Sequence, residues 1–193
     1  MKHAVLVGVL LWAVDARADE TESLRKGKDL YKLVKVAGSR SSRGFVKGVV
    51  EAPMDRVFAV ITDYDRYAEF MPRCEKSRVL RRGDRSLRYH NKLDMPWPVS
   101  DVWYDADVSW ETDKRSIHFQ MAPGTGHGVK AFDGHWTLAA FDRDTRRTVV
   151  LYDILFESTT EWPEWVLKIG TKATLADILP SLRERLGNLA RSR

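Results

Sequence analysis

The sequence predicts an α+β domain in which a curved antiparallel sheet wraps around a long C-terminal helix. Residues 74–158 alternate between apolar and polar positions with a period of two, as strands with one buried face do. Short turn sequences separate the alternating runs, so neighbouring strands are expected to pair as hairpins. Residues 161–188 then change to a helical period, with apolar side chains every three or four positions.

The first 18 residues have the parts of a secretory signal peptide in the right order. Lys2 makes the start basic, residues 4–14 are apolar, and Ala16 and Ala18 are the small side chains that precede a cleavage site. The apolar run is shorter than the roughly 20 residues of a bilayer-spanning helix. We expect residues 1–18 to be a signal peptide cut after Ala18, which predicts a periplasmic or secreted protein. A buried helix or a retained membrane anchor are the alternatives.

Composition limits the classes of function. The 193 residues suit one domain, and Cys74 is the only cysteine, so no intramolecular disulfide and no two-cysteine zinc site can form. We expect Cys74 to be a small buried residue. The net charge of +5 comes from basic residues scattered among acidic ones, which does not predict nucleic-acid binding. It leaves open a transient contact with an anionic membrane surface.

Residues 19–44 are predicted to be an N-terminal extension and linker, and residues 45–190 the domain itself. The extension is charged and then rich in Gly, Ser and Arg, as flexible joints are. A short helix that lies on the domain is one interpretation of its apolar residues, which are Leu24, Leu30, Tyr31, Leu33 and Val34.

The domain begins with a Val-rich strand at residues 45–52, followed by two short helices. Pro53 starts the first helix, where its missing N–H has no cost. Asp63 is a candidate N-cap for a second helix at residues 63–70, and Pro72 ends it.

Four alternating runs then give the inward face of the sheet. Their inward positions are Val102, Tyr104, Ala106, Val108 and Trp110; Ile117, Phe119 and Met121; Phe132, Gly134, Trp136, Leu138 and Ala140; and Val150, Tyr152, Ile154 and Phe156. Turns are expected at residues 82–85, 111–114 and 142–145.

The final helix is expected to bury one apolar stripe against this face, with a kink at Pro180. The stripe consists of Trp165, Ile169, Ala173, Ala176, Leu179, Leu182, Leu186 and Leu189. Small residues at inward positions favour a hollow between helix and sheet, although tight interdigitation is the alternative. These small residues are Gly134, Ala106, Ala140, Ala173 and Ala176.

A motif resemblance supports the same architecture. Asp63, Tyr67, Phe70, Pro72 and Cys74 form a D-x-x-x-Y-x-x-F-x-P-x-C stretch. It resembles the coenzyme Q-binding and polyketide cyclase/dehydrase branch of the START-like (Bet v 1-like, SRPBCC) superfamily. The resemblance implies a helix-grip fold with a hydrophobic pocket.

We therefore predict a carrier or sequestering protein that binds a hydrophobic small molecule, such as a lipid, an isoprenoid or a polyketide-like compound, in an internal cavity. No cofactor is expected. The predicted lining of the cavity is Tyr104, Ala106, Val108, Phe119, Met121, Phe132, Trp136, Tyr152, Ile154, Trp165 and Ile169.

Two alternatives remain open. The first is a polyketide cyclase or dehydratase in which an inward Tyr89, Tyr104 or Tyr152 acts on a substrate in the same cavity. The second is a packed interaction module without a ligand. No catalytic or metal-binding residue is predicted, because the histidines lack the close spacing of ligand sets; they are His90, His118, His127 and His135.

Several features near the pocket have a structural and a functional interpretation. The loop at residues 124–128 is either a mobile gate or a long turn. Trp103 is either an exposed contact or a sign that the strand register is wrong. Trp97, Trp162 and Trp165 are candidates for an entrance that touches lipid headgroups, with core packing as the alternative.

Overall fold

Strands in the described part of the chain form one curved, unclosed antiparallel sheet of eight strands, in the order β1-β2-β8-β7-β6-β5-β4-β3. The computed structural model describes residues 18–39, 41–95, 99–111, 113, 115–159 and 164–191, with the side chains of 164–172 left out. The strands are β1 (Leu30–Lys35), β2 (Ser42–Val50), β3 (Cys74–Arg82), β4 (Ser86–Leu93), β5 (Val102–Trp110), β6 (Ser116–Met121), β7 (Val129–Phe141) and β8 (Asp144–Ser158).

The helices of the described residues are α1 (Ala18–Arg25), α2 (Met54–Ile61), a 3-10 helix (Tyr64–Glu69) and α3 (Glu164–Arg191). The two short helices follow β2, as predicted, and α3 packs against β2 and α2. The helix-grip architecture is confirmed.

The predicted turns are confirmed where β3 meets β4 and β7 meets β8. Asp142 and Arg143 have φ values of 50° and 61°. Two consecutive positive φ angles give the type I′ geometry that matches the twist of paired strands.

The N-terminal extension differs from the predicted short helix. Residues Leu30–Lys35 form β1, which pairs antiparallel with β2 from Leu30↔Lys47 to Lys35↔Ser42. Leu24 lies in α1 and packs with Val49 and Phe141 on the convex face of the sheet. The helix prediction was wrong for residues 30–35 because the open edge of β2 offers backbone hydrogen bonds that no local pattern reveals.

The predicted inward positions of the sheet are confirmed except at one residue. Phe132, Gly134, Trp136 and Leu138 are all buried, but Ala140 is exposed. Ala140 stays in register with the buried Thr148, and the irregularity lies after it, next to the turn at residues 142–143. Ala140 is therefore exposed near the end of β7 without a change of face.

The apolar stripe of α3 is shifted from the predicted one. Leu179, Leu182 and Leu186 are buried as expected, but Leu175 and Ile178 are buried too, while Ala173 is exposed. Two glycines of β2 receive the helix: a Cβ on Gly44 would lie 2.5 Å from Leu175 Cδ1, and one on Gly48 would lie 2.6 Å from Leu179 Cδ1. The leucines occupy the space that a larger residue on β2 would need.

At Gly134 the same close packing, and not a hollow, accounts for the small residue. A Cβ on Gly134 would lie 2.0 Å from the Asp153 carbonyl oxygen and 2.6 Å from the Phe119 ring. Gly134 is therefore small because backbone and an aromatic ring approach it closely.

Polar contacts fix the C-terminal half of α3. Arg183 donates to both carboxylate oxygens of Asp29, 2.8 Å from Nη1 to Oδ2, and to the Val49 carbonyl oxygen. Arg185 Nη1 lies 2.7 Å from Glu69 Oε2 in the 3-10 helix, and its guanidinium lies over the Phe70 ring. Among the described helices, none has the length and apolar character needed to cross a membrane.

Candidate functional site: the concave face

The concave face brings together nine of the predicted lining residues. Seven are buried, namely Tyr104, Ala106, Val108, Phe119, Phe132, Trp136 and Tyr152, while Met121 and Ile154 are partly buried against them. The side chains of the other two, Trp165 and Ile169, lie outside the described residues. The assignment of these positions to ligand binding stays a prediction.

Burial along this face is uneven, and Val129 and Phe132 are buried at the same end as side chains that are only partly buried. At the end beside α2, Leu138 and Val150 are 1% and 0% exposed. At the opposite end, Met121, Ile154 and Phe156 are only partly buried. We call these three residues the open end; Met121 is the last residue of β6, and Ile154 and Phe156 lie in the C-terminal part of β8.

Five tyrosines form a cluster within the concave core. Tyr64 and Tyr67 come from the 3-10 helix, Tyr89 from β4, Tyr104 from β5 and Tyr152 from β8. The ring centroids of Tyr64 lie 4.3 Å from Tyr67 and 4.2 Å from Tyr89. Tyr104 packs on Phe132 at 4.4 Å, and Tyr152 on Trp136 at 4.3 Å. The core of the concave face therefore contains phenol hydroxyls, although the alternation of apolar and polar residues in the sequence predicts an apolar core.

Hydrogen bonds account for part of this buried polarity. Tyr67 donates its hydroxyl hydrogen to the Ile61 carbonyl oxygen. Asn91 Nδ2 donates to Tyr104 Oη at 2.9 Å, and Asn91 Oδ1 accepts from Cys74 Sγ at 3.1 Å. Tyr64 Oη is buried beside the Tyr67 hydroxyl, whose oxygen can accept its hydrogen.

Burial keeps these groups neutral. It raises the pKa of each tyrosine in the cluster, and it raises the pKa of the Cys74 thiol to about 12. The phenols therefore offer O–H donors at neutral pH rather than phenolate bases.

Sequence reasoning identified part of this cluster. It named Tyr89, Tyr104 and Tyr152 as inward tyrosines and Tyr67 only as part of the motif, and it did not consider Tyr64 or Asn91. Asn91 follows Leu87 and Tyr89 at the spacing of inward positions in β4. Its polar side chain at a position on the apolar face of β4 could therefore have identified it from the sequence. Tyr64 had no such signal, because its position depends on how the 3-10 helix packs on the sheet.

The loop at residues 122–128 is held against β5 by hydrogen bonds. Thr125 Oγ1 accepts from the Asp105 amide and donates to the Ala122 carbonyl oxygen at 2.8 Å. His127 and Trp103 exchange backbone hydrogen bonds, and their rings stack with centroids 3.6 Å apart. These contacts favour a fixed turn over a mobile gate. Trp103 is 38% exposed, so the predicted register of β5 is correct.

The convex face of the same strands carries a charge network. Buried Arg43 donates to Asp153 and to Asp133, and His135 Nδ1 lies 3.2 Å from Asp153 Oδ2. His118 stacks on His135 with ring centroids 4.7 Å apart. Within the described residues, no group of three or more His, Cys, Asp and Glu side chains is placed to hold a metal ion.

Comparison with known proteins agrees with this arrangement. A family model described as polyketide cyclase / dehydrase and lipid transport matches residues 50–183. No curated protein sequence matches the chain.

Among solved structures, a STAR-related lipid transfer protein from Xanthomonas axonopodis is 21% identical, with a TM-score of 0.68 over 82% of this chain and 93% of that one. The Zhui aromatase/cyclase of a Streptomyces species is 18% identical, with a TM-score of 0.64 over 78% of this chain and 95% of that one. Human StAR-related lipid transfer protein 5 is 8% identical, with a TM-score of 0.68 over 97% of this chain and 95% of that one. At these identities the likeness shows the fold. From the family match, the chain belongs to the polyketide cyclase/dehydrase and lipid transport family and has its hydrophobic ligand-binding domain.

Proposed function

We propose that this protein is a carrier or sequestering protein, and that its cargo binds between the open end of the concave face and the first half of α3. The observation that supports the proposal is the exposed apolar area at the open end. Leu138 and Val150 beside α2 are closed off from solvent, whereas Met121, Ile154 and Phe156 keep exposed area. Covering such area with an apolar ligand gains about 25 cal/mol per Å² before ordering costs.

The chemistry of the interior favours binding over catalysis. General acid–base catalysis needs a group whose pKa lies near the working pH. The titratable side chains described in the concave core are tyrosines and Cys74, and burial raises the pKa of each. The buried charged residues Arg43, Lys47 and Asp153 lie on strand positions that face the convex side.

We also propose that the protein works in the periplasm or outside the cell, after removal of residues 1–18. The signal-peptide pattern of the sequence supports this location. A transient contact with a membrane surface would bring apolar cargo to the protein, and the exposed Trp103 ring is a candidate for that contact. If the intact mass of the secreted protein matches a chain that begins at Asp19, cleavage after Ala18 is supported. A mass that matches a chain beginning at Met1 would contradict it.

Native mass spectrometry of the full chain purified from its secretory compartment tests the carrier proposal. We expect a mass excess that solvent extraction removes as an apolar compound. The matched control is the same preparation unfolded, extracted and refolded, which should lose the excess and regain it from the extract. A preparation with no mass excess that also fails to take up apolar compounds would contradict the proposal.

A cyclase or dehydratase is the second candidate, supported by the family match. Tyr104 would then be the acid, since Asn91 donates a hydrogen bond to its oxygen and orients the phenol. The test is turnover of a poly-β-ketone substrate by the wild type and by Tyr104→Phe. If the wild type turns the substrate over, and the variant binds it but does not, the protein is an enzyme and the carrier proposal is wrong.

A further inference from the structure

The exposed apolar side chains of this protein are concentrated on one edge of the sheet. Five large apolar side chains are exposed in the described part of the chain. Three of them lie in β1, namely Tyr31, Leu33 and Val34, and are 48%, 49% and 39% exposed; we call them the β1 patch. The other two, Leu80 and Trp103, lie singly in β3 and β5. Single exposed apolar residues are common on soluble proteins, whereas a contiguous group marks an interaction surface.

The two edges of the sheet are protected differently. At the β3 edge, the Val79 amide donates to Asp65 Oδ1 of the 3-10 helix at 2.7 Å, and the 3-10 helix packs against this strand. In the described part of the chain, β1 pairs with β2 alone, and residues 31–35 are all exposed. The outer edge of β1 therefore presents backbone N–H and C=O groups together with apolar side chains.

The charge around the β1 patch has one sign. Residues 30–50 contain five basic residues and no acidic one, and two of the five pair with carboxylates on the convex face. Lys28 and Lys35 flank the patch, are exposed, and form no ion pair within the described residues. The carboxylate of Asp29, which lies between them in the sequence, is bound by Arg183. The edge of β1 therefore combines apolar area with positive charge.

This edge lies close to the proposed cargo site. Leu33 pairs with Gly44 of β2, and Gly44 pairs with Ile154 at the open end. Paired residues share a face of the sheet, so Leu33 and Ile154 lie on the concave side about 10 Å apart, the width of two strand spacings. Leu175 of α3 packs over Gly44 between them. A surface bound at β1 would therefore lie against α3, with the open end on the other side of the helix.

We propose that the free edge of β1 is a docking surface for an anionic lipid bilayer, at which the protein takes up or releases its cargo. This inference rests on the proposed carrier function and deepens it, because it names the surface that meets the membrane. Leu33 and Val34 bury apolar area among the headgroups, and Tyr31 has the amphipathic ring that this layer favours. Lys28 and Lys35 attract the anionic phosphates.

The backbone of β1 limits how deep this contact goes. The outward N–H and C=O groups of an edge strand are hydrogen-bonded by water, and they would lose those bonds in the hydrocarbon core. The headgroup layer contains both water and phosphate oxygens, so the edge keeps its hydrogen bonds there. The protein therefore docks on the surface of the bilayer and does not insert into it.

Pairing with a second copy of the chain is the competing use of an open edge. Lys32 lies near the middle of β1. In an antiparallel pair of two β1 strands, the two Lys32 side chains would lie opposite or diagonal to each other, and like charges in such positions disfavour pairing. Lysine on an edge strand is a common protection against such contacts. The same charge favours an anionic surface.

Flotation with lipid vesicles tests the docking surface. Protein purified from its secretory compartment is mixed with vesicles of phosphatidylcholine, with or without phosphatidylglycerol, at low and at high salt. We expect binding to the anionic vesicles that high salt weakens. The double variant Lys28→Gln/Lys35→Gln should bind about 30-fold more weakly, because two attractions to anionic lipid are lost. The double variant Leu33→Ser/Val34→Ser should bind about tenfold more weakly, because less apolar area is buried.

Matched variants at the opposite edge separate the β1 patch from other exposed groups. Leu80→Ser removes a leucine of similar exposure from β3, and Lys76→Gln/Arg78→Gln removes two exposed charges from the same strand. Neither should change binding to the vesicles. All of these variants should keep the co-purified cargo and a melting temperature close to that of the wild type, because the substituted side chains are exposed.

Three outcomes would overturn the docking surface. The first is equal binding of the wild type and both β1 variants, including the case in which Trp103→Ser alone abolishes binding. The second is a wild type that binds neither kind of vesicle, which leaves the carrier proposal standing because co-purified cargo decides that separately. The third is a concentration-dependent dimer in analytical ultracentrifugation that Leu33→Ser/Val34→Ser abolishes, which would assign the edge to a second copy of the chain.

Discussion

The two faces of the sheet bury polar groups in different ways. Tyr152 and Asp153 are neighbours in β8, both are buried, and they point to opposite faces. On the concave side Tyr152 joins a cluster of neutral phenols. On the convex side Asp153 belongs to a network with Arg43, Asp133 and His135. The convex face pairs its buried charges within the protein, whereas the concave cluster consists of neutral phenols. This difference predicts that removal of a convex charge costs more stability than removal of a concave hydroxyl.

Removal of Arg43 should give the largest loss on the convex side. Arg43→Met leaves the Asp153 carboxylate buried with His135 as its remaining close partner. Breaking a buried ion pair in this way costs about 3–5 kcal/mol of unfolding free energy. Urea denaturation at neutral pH measures it. The double variant with Asp153→Asn should recover much of the loss, and a loss below about 1 kcal/mol for Arg43→Met alone would contradict the role of the network.

A smaller loss is expected where α3 enters the concave face. Gly44→Val forces a side chain into the space of Leu175, whose Cδ1 would lie 2.5 Å from the new Cβ. Overpacking of this kind costs about 1–3 kcal/mol. Combination with Leu175→Ala should restore part of the stability. Gly187→Ala is the matched control, because its Cβ meets nothing within 4 Å, and it should stabilise the helix slightly. An unchanged urea midpoint for Gly44→Val would show that α3 does not depend on this contact.

The smallest effect is a pH dependence on the convex face. Burial lowers the pKa of His118 below its usual 6.5, and the neighbouring His135 lowers it further, against the attraction of Asp133 and Asp153. The unfolded chain therefore binds a proton at higher pH than the folded protein does. Stability is full above about pH 6.5 and falls as the pH drops through that range towards the folded pKa.

His118→Gln should flatten this fall in unfolding free energy between pH 7 and 5, as measured by urea denaturation at each pH. If the unfolding free energy falls equally steeply with decreasing pH in the variant and the wild type, His118 does not contribute to the pH dependence of stability. His90→Gln is a control on a histidine that pairs with Asp105 on β5, outside this network.

The sequence predicted most of the fold because its signals are local. Alternation in β5, β6 and β8 identified the concave positions, and the turn at Asp142 carried its own backbone preference. The predictions were wrong at positions whose conformation or exposure depends on the surrounding tertiary structure. Residues 30–35 form a strand because β2 offers an open edge, and Ala140 is exposed because it lies near the end of β7, where its own register with Thr148 is unchanged.

For the candidate site, the sequence by itself determined which strand residues face the concave side, since side chains alternate in any strand. Only the tertiary structure decided what fills that side. Leu175 and Leu179 pack against Gly44 and Gly48, and the 3-10 helix brings Tyr64 against Tyr89. The physical reason is that packing and hydrogen bonding depend on which atoms lie close together in three dimensions. The spacing of residues along the chain does not specify those atoms.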